Sequence, residues 1–136
     1  MSEASAKAVQ VDPASITDEK VMQVLKEVVA ENPDRVYDAP EHQLTDDSTT
    51  CFYVHTDDLT GEPVSPGCLV GQVLNRLGLP LHRLEELEGY DAPQAVTALG
   101  LPVSGRTLRV LGQAQQFQDS GKTWGEAYAR TMGEGI

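Results

Sequence analysis

Cys68 opens the run Cys-Leu-Val-Gly-Gln-Val-Leu. A thiol at a helix N-terminus is a residue from which a nucleophile can be made, because the dipole and the unpaired N–H groups there favour the thiolate. His55 is the candidate base, with Asp57 or Asp58 behind it to orient the ring. No histidine follows His82 in the chain, so a base supplied from a strand well downstream of the helix is lacking. Cys51, His55, Cys68 and His82 also form a Cys2His2 inventory for a metal. On a strand Cys51 and His55 are four residues apart and share a face. The 13 residues between Cys68 and His82 fit no zinc pattern, and the chain has no Cys-x2-Cys pair. The spacing therefore predicts no bound metal, no cofactor, and two reduced, buried thiols.

Two further patterns invite a chemical reading. Ser120-Gly-Lys-Thr123 is the end of a phosphate loop, but that motif requires Gly five positions before Gly121 and Gln116 stands there. A helix rather than a strand leads into it. Paired carboxylates recur at Asp46-Asp47, Asp57-Asp58 and Glu85-Glu86, and Asp57 to Glu62 lacks the alternating acids and length of a calcium loop.

The acids matter more as a field. Residues 31–62 hold nine of them (Glu31, Asp34, Asp38, Glu41, Asp46, Asp47, Asp57, Asp58, Glu62) against one base, Arg35, within a chain of net charge −11. Such a field repels nucleic acid and anionic lipid and attracts cationic partners. Asp38, Glu41, Asp46, Asp47, Asp57 and Asp58 are the expected partner-binding residues. The bland alternative is an acidic loop that only keeps the protein in solution. From Leu101 to Arg130 the balance reverses, with Arg106, Arg109, Lys122 and Arg130 against Asp119 and Glu126.

The elements that must position these groups are mostly helical. At 136 residues, 40% hydrophobic and 23% charged, the chain suits one domain with a real core. Residues 1–14 are small and patternless and predict a flexible tail; residues 15–133 predict a single globular domain. The first helix spans 16–31, capped by Ser15 or Thr17, with Val21, Val24, Leu25, Val28 and Val29 as its stripe. Asn32-Pro33 stops it. Cys51 to Thr56 has strand composition, Asp57 to Gly61 forms a hairpin loop, and the return strand near 62–65 is short because Pro63 and Pro66 cannot donate.

The helix over 68–77 then organises the rest. Leu69, Val73 and Leu77 with Val70 and Leu74 make a broad apolar stripe, and the small Cys68 and Gly71 allow a neighbour close approach. A short helix or helical turn follows Leu79-Pro80. Asp91-Ala-Pro-Gln94 starts another helix by a capping box. Ser104 caps a longer one to about Gln118, with Leu108, Val110, Leu111, Ala114 and Phe117 as its apolar positions. Thr123-Trp-Gly-Glu126 starts the last. The expectation is a mainly α fold with a short β-hairpin, about five helices around the helix 68–77.

Four stretches, Asn32 to Tyr37, Cys51 to Tyr53, Gly67 to Leu79 and Ala114 to Ala127, resemble patterns in small uncharacterised proteins of actinobacteria and their phages. The resemblance implies a cytoplasmic setting, in line with the absence of a basic and apolar leader after Met1, and implies no particular chemistry. The expected function is a non-enzymatic cytoplasmic interaction protein, phage-like in pattern, that binds a protein partner through an acidic face. It is expected to bind neither nucleic acid nor membrane. A small Cys-dependent enzyme or metal protein using Cys68, Cys51 and His55 is the alternative, and a nucleic-acid mimic is a further one.

Overall fold

The computed structural model describes residues 12–44 and 52–133. Asp46, Asp47, Cys51 and residues 1–11 of the expected tail lie outside them. The described chain runs α1 (Asp18–Glu31), β1 (Val54–Thr56), β2 (Pro63–Pro66), α2 (Leu69–Arg76), α3 (Leu81–Glu85), α4 (Ala92–Leu99), α5 (Gly105–Asp119) and α6 (Trp124–Met132). The mainly helical fold with one minor antiparallel hairpin is the expected one. The segment after Leu79-Pro80 adds a five-residue helix of its own. Ahead of α1, Pro13–Ser15 forms a 3-10 turn, with the Asp12 carboxylate accepting from the Ala14 N–H at 3.0 Å.

Helix starts follow the caps written in the sequence. Thr17 accepts from the Lys20 N–H, Ser104 from that of Thr107 and Thr123 from that of Glu126. Asp91 and Gln94 exchange both bonds of the capping box, at 2.8 and 3.1 Å. The α1 stripe is buried as spaced: Val21, Val24, Leu25, Val28 and Val29. On α5 the buried face is rotated from expectation. Thr107, Gln115 and Gln118 are buried with Val110, Leu111 and Ala114, whereas Leu108 and Phe117 are only half-buried.

Helix α2 sits at the centre, against α1, α3, α5 and β2. Its Leu69, Val70, Val73 and Leu74 are fully buried, and each such side chain contributes roughly 1.5 to 3 kcal/mol. Gly71 is what brings the hairpin onto this helix. A Cβ there would run into the Tyr53 carbonyl and stand 2.9 Å from the Tyr53 Cα. The two backbones are tied just above this contact, with the Gly67 N–H donating to the Tyr53 carbonyl at 2.8 Å and the Cys68 N–H to that of Phe52 at 2.9 Å. Gly78, at φ 110°, ends α2, and the Leu79 N–H reaches back to the Leu74 carbonyl.

Candidate functional site

The hairpin pairs Val54 with Pro66, His55 with Ser65 and Thr56 with Pro63, with an irregularity between His55 and Thr56. A two-stranded ribbon is marginal alone, and this one is completed by side chains. Along the outer edge of β1 the Gln43 amide takes the place of a third strand. Its Oε1 accepts from the Thr56 N–H at 2.8 Å, and its Nε2 donates to the Val54 carbonyl at 3.1 Å. His42 Nε2 donates to the Thr56 carbonyl at 2.9 Å. Both come from the 3-10 turn Glu41–Gln43, so residues 35–44 form a strap laid across the strand. The Glu88 carboxylate accepts from the N–H groups of Tyr53 and Val54 at 2.9 and 3.1 Å. Burial pushes that carboxyl up to about 7, against the pull of the two donors, and nearby Glu85 acts in the same direction.

Deeper in, Tyr53 donates its hydroxyl to the Tyr90 carbonyl at 2.6 Å, and Gln115 lies between that hydroxyl and the Ala92 N–H, which donates to its Oε1 at 2.9 Å. Buried polar groups of this kind are tolerated because they are hydrogen-bonded.

The strap is anchored at its start as well. The α6 N-terminus donates its Trp124 and Gly125 N–H groups to the carbonyls of Arg35 and Pro33 at 2.9 and 2.8 Å. The Arg35 guanidinium lies 4.9 Å over the Trp124 ring, a cation–π arrangement. The one base of the acidic segment is thereby directed to the fully buried Trp124. Asp38, Glu41, Asp58 and Glu62 remain exposed. Among the described residues Asp38, Glu41 and Glu62 form no ion pair, and Asp58 has only His42, at 3.9 Å. Asp38 also lines a cleft of about 290 Å3 with Leu44 and Asp119, and burial raises the Asp119 carboxyl above its ordinary range.

Asp57 has a different role from its neighbours. Its carboxylate accepts from the N–H groups of Leu59 and Thr60 at 2.9 and 2.8 Å, and these bonds, Thr60 first, lower its pKa. The Asp57 N–H donates to the Glu62 carbonyl and the Gly61 N–H to that of Asp57. The loop is thus a closed, hydrogen-bonded tip, and it holds Leu59 in solvent at 92% exposure.

The structure places Cys68 apart from open chemistry. Cys68 is fully buried at the N-cap of α2. The first N–H of that helix, on Leu69, donates to the buried Gln118 Oε1 at 2.8 Å. A substrate has no approach to a sulfur so enclosed. His55 has its Nε2 3.0 Å from the Tyr37 hydroxyl, and burial first, then Arg35 and His42, lower its pKa, which keeps the ring neutral. His82 is exposed on α3. Among the described residues no three His, Cys, Asp or Glu side chains gather as a metal site, and Cys51 lies outside those residues.

Gln43, Glu88, Gln115 and Gln118 were not singled out in the sequence. For Gln115 and Gln118 a signal existed, since they stand four and seven residues after Leu111 and so share its buried face. Gln43 and Glu88 carry none, because their partners are strand N–H and C=O groups distant in the chain. Among the described residues no helix is long and apolar enough to cross a membrane. No family model matches the chain, and searches of curated proteins and of solved structures find no match either.

Proposed function

We propose that this is a non-enzymatic cytoplasmic binding protein that docks a cationic protein partner on the acidic face formed by the strap and the hairpin. The observation that carries the reading is the exposure of Asp38, Glu41, Asp58 and Glu62 while Arg35 is drawn to Trp124. Apolar side chains stand exposed along the same segment, at Val36, Leu44, Leu59 and Val64. Interfaces combine such apolar contacts with a polar rim. Like charges on a backbone held by hydrogen bonds repel one another without relief, and a cationic surface relieves them.

The test is to neutralise Asp38, Glu41, Asp46, Asp47 and Asp58 to Asn or Gln, leaving Asp57 because its carboxylate builds the turn. Proteins captured by the two forms are identified and their association rates measured against salt. The reading requires association about tenfold slower, with a flatter salt dependence, for the neutralised form. Equal capture by both forms would overturn it. If duplex DNA competes for the captured partner, the acidic face acts as a mimic of nucleic acid.

A further inference from the structure

We propose that the cleft between the strap and the end of α5 receives an arginine side chain of the protein partner, as the anchor of that contact. This rests on the acidic-face reading and names what the face grips. The cleft has a volume of about 290 Å3, room for one side chain rather than for a drug-sized ligand. Its apolar lining is Tyr37, Ala39 and Leu44 of the strap, and its charges are Asp38 on the strap and Asp119 on α5. The Tyr37 hydroxyl is engaged by His55 and by the Phe52 N–H, so the ring is the part of Tyr37 that meets an entering side chain. Gln43 and His42 fix the strap on β1, and the cleft is therefore shaped before a partner arrives.

Everything charged about this cleft is negative. Both of its ionisable carboxyls are acids without a base beside them in the lining. Asp119 is also the last residue of α5, the end at which the helix dipole is negative and favours cations, and the last turn of α5 carries no basic residue. An acid there stands against its own electrostatic preference. Asp119 keeps an exposed edge, yet burial raises its carboxyl, opposed only by the Gln118 amide, which donates to Oδ1 at 2.8 Å; no cation acts on it. The bases nearest in the chain do not relieve it. Arg35 lies over Trp124, and Lys122 neither lines the cleft nor joins an ion pair among the described residues. An arginine suits the cleft better than a lysine. Its planar guanidinium carries five N–H donors in a fixed fork, so it can bond carboxylates on two elements at once and lie against an aromatic ring, whereas an ammonium is a compact, strongly hydrated charge.

The probe is N-acetyl-arginine amide, titrated at low salt into the isotope-labelled full chain and followed by amide NMR shifts. N-acetyl-lysine amide and the uncharged isostere N-acetyl-citrulline amide serve as comparisons. The expected result is saturable shifts at Ala39, Leu44 and Gly121 with a dissociation constant on the order of 1 mM. Lysine should bind about tenfold more weakly, and citrulline not measurably. Asp119→Asn retains an acceptor for the Gln118 amide, and Asp38 is exposed, so Asp119→Asn and Asp38→Asn should fold, as thermal melts check. Each should weaken arginine binding about tenfold. Asp58→Asn, at the hairpin tip, should leave it unchanged. Lysine bound as tightly as arginine, binding indifferent to both cleft substitutions, or no saturable shift in the cleft overturns the proposal. Arginine shifts gathered around Asp58 and Glu62 instead overturn it and spare the acidic-face reading. Equal capture of partners by the native and neutralised chains overturns both.

Discussion

Glu88 holds the N–H groups of two successive residues of the hairpin from half-buried surroundings, and its carboxyl is raised to about 7 from an ordinary 4.5. A raised acid is protonated more readily in the folded chain than in the unfolded one. Its contribution to stability is therefore complete below pH 4.5 and is lost as pH rises through about 7. Solvent reaches the carboxylate, so the loss is about 1 to 2 kcal/mol rather than the full linkage value. We expect the melting temperature to fall between pH 5 and 7.5, and Glu88→Gln to flatten that slope. A profile with the same slope in both proteins would remove Glu88 as its source. Asp18 and Asp57 act with the opposite sign. Their lowered carboxyls, held first by the Thr107 hydroxyl and the Thr60 N–H, support the fold above the ordinary carboxylate range and lose that support as acid protonates them. Gln118 is a different kind of residue, a buried acceptor that caps α2 from α5. Gln118→Leu keeps the bulk and leaves the Leu69 N–H without its acceptor, which should cost about 1 to 3 kcal/mol in denaturant unfolding. No loss would mean that the helix start finds another acceptor.

At the scale of elements, the meeting of α2 with the hairpin depends on the lack of a single methyl group. Gly71→Ala places a Cβ against the backbone of Tyr53, which cannot swing aside as a side chain would. We expect a loss of about 2 to 3 kcal/mol, together with faster hydrogen exchange at Thr56 and Asp57. A fully stable Gly71→Ala protein would show that the strand is free to lift. This closeness was legible in the sequence as small residues in an apolar helix, and the helices themselves were legible from caps and stripes. The strap was not. Gln43 and His42 hold it by hydrogen bonds to β1, and such bonds leave no period in a sequence. The α5 face was misjudged for a related reason, since Gln115 and Gln118 are polar by type yet buried by what they bond.

Across the whole molecule, charge was the property most legible in the sequence, because a run of acids shows its sign without any knowledge of the fold. What the run could not show is that Arg35 would turn to Trp124 and that Asp57 would close its own loop. The same two facts sharpen an expectation for the neutralised protein. With Asp57 left in place, its melting temperature should match or exceed that of the native chain at low salt, since repulsion is relieved and no hydrogen bond of the tip is lost. A marked drop would mean that Asp38, Glu41 or Asp58 supports the fold directly. The Gln43 amide, finally, bears on how the protein survives crowding and storage. An exposed strand edge templates the addition of further strands, and proteins generally cover such edges. Here the cover along Val54 and Thr56 is made of side chains, the Gln43 amide and the His42 ring from a short turn and the Glu88 carboxylate on the Val54 N–H, not of a strand or a helix. Gln43→Ala would uncover a donor and an acceptor in line. We expect that protein to remain folded yet gain thioflavin-positive aggregates on prolonged incubation, so that the tendency to form fibrils is held back in part by one amide.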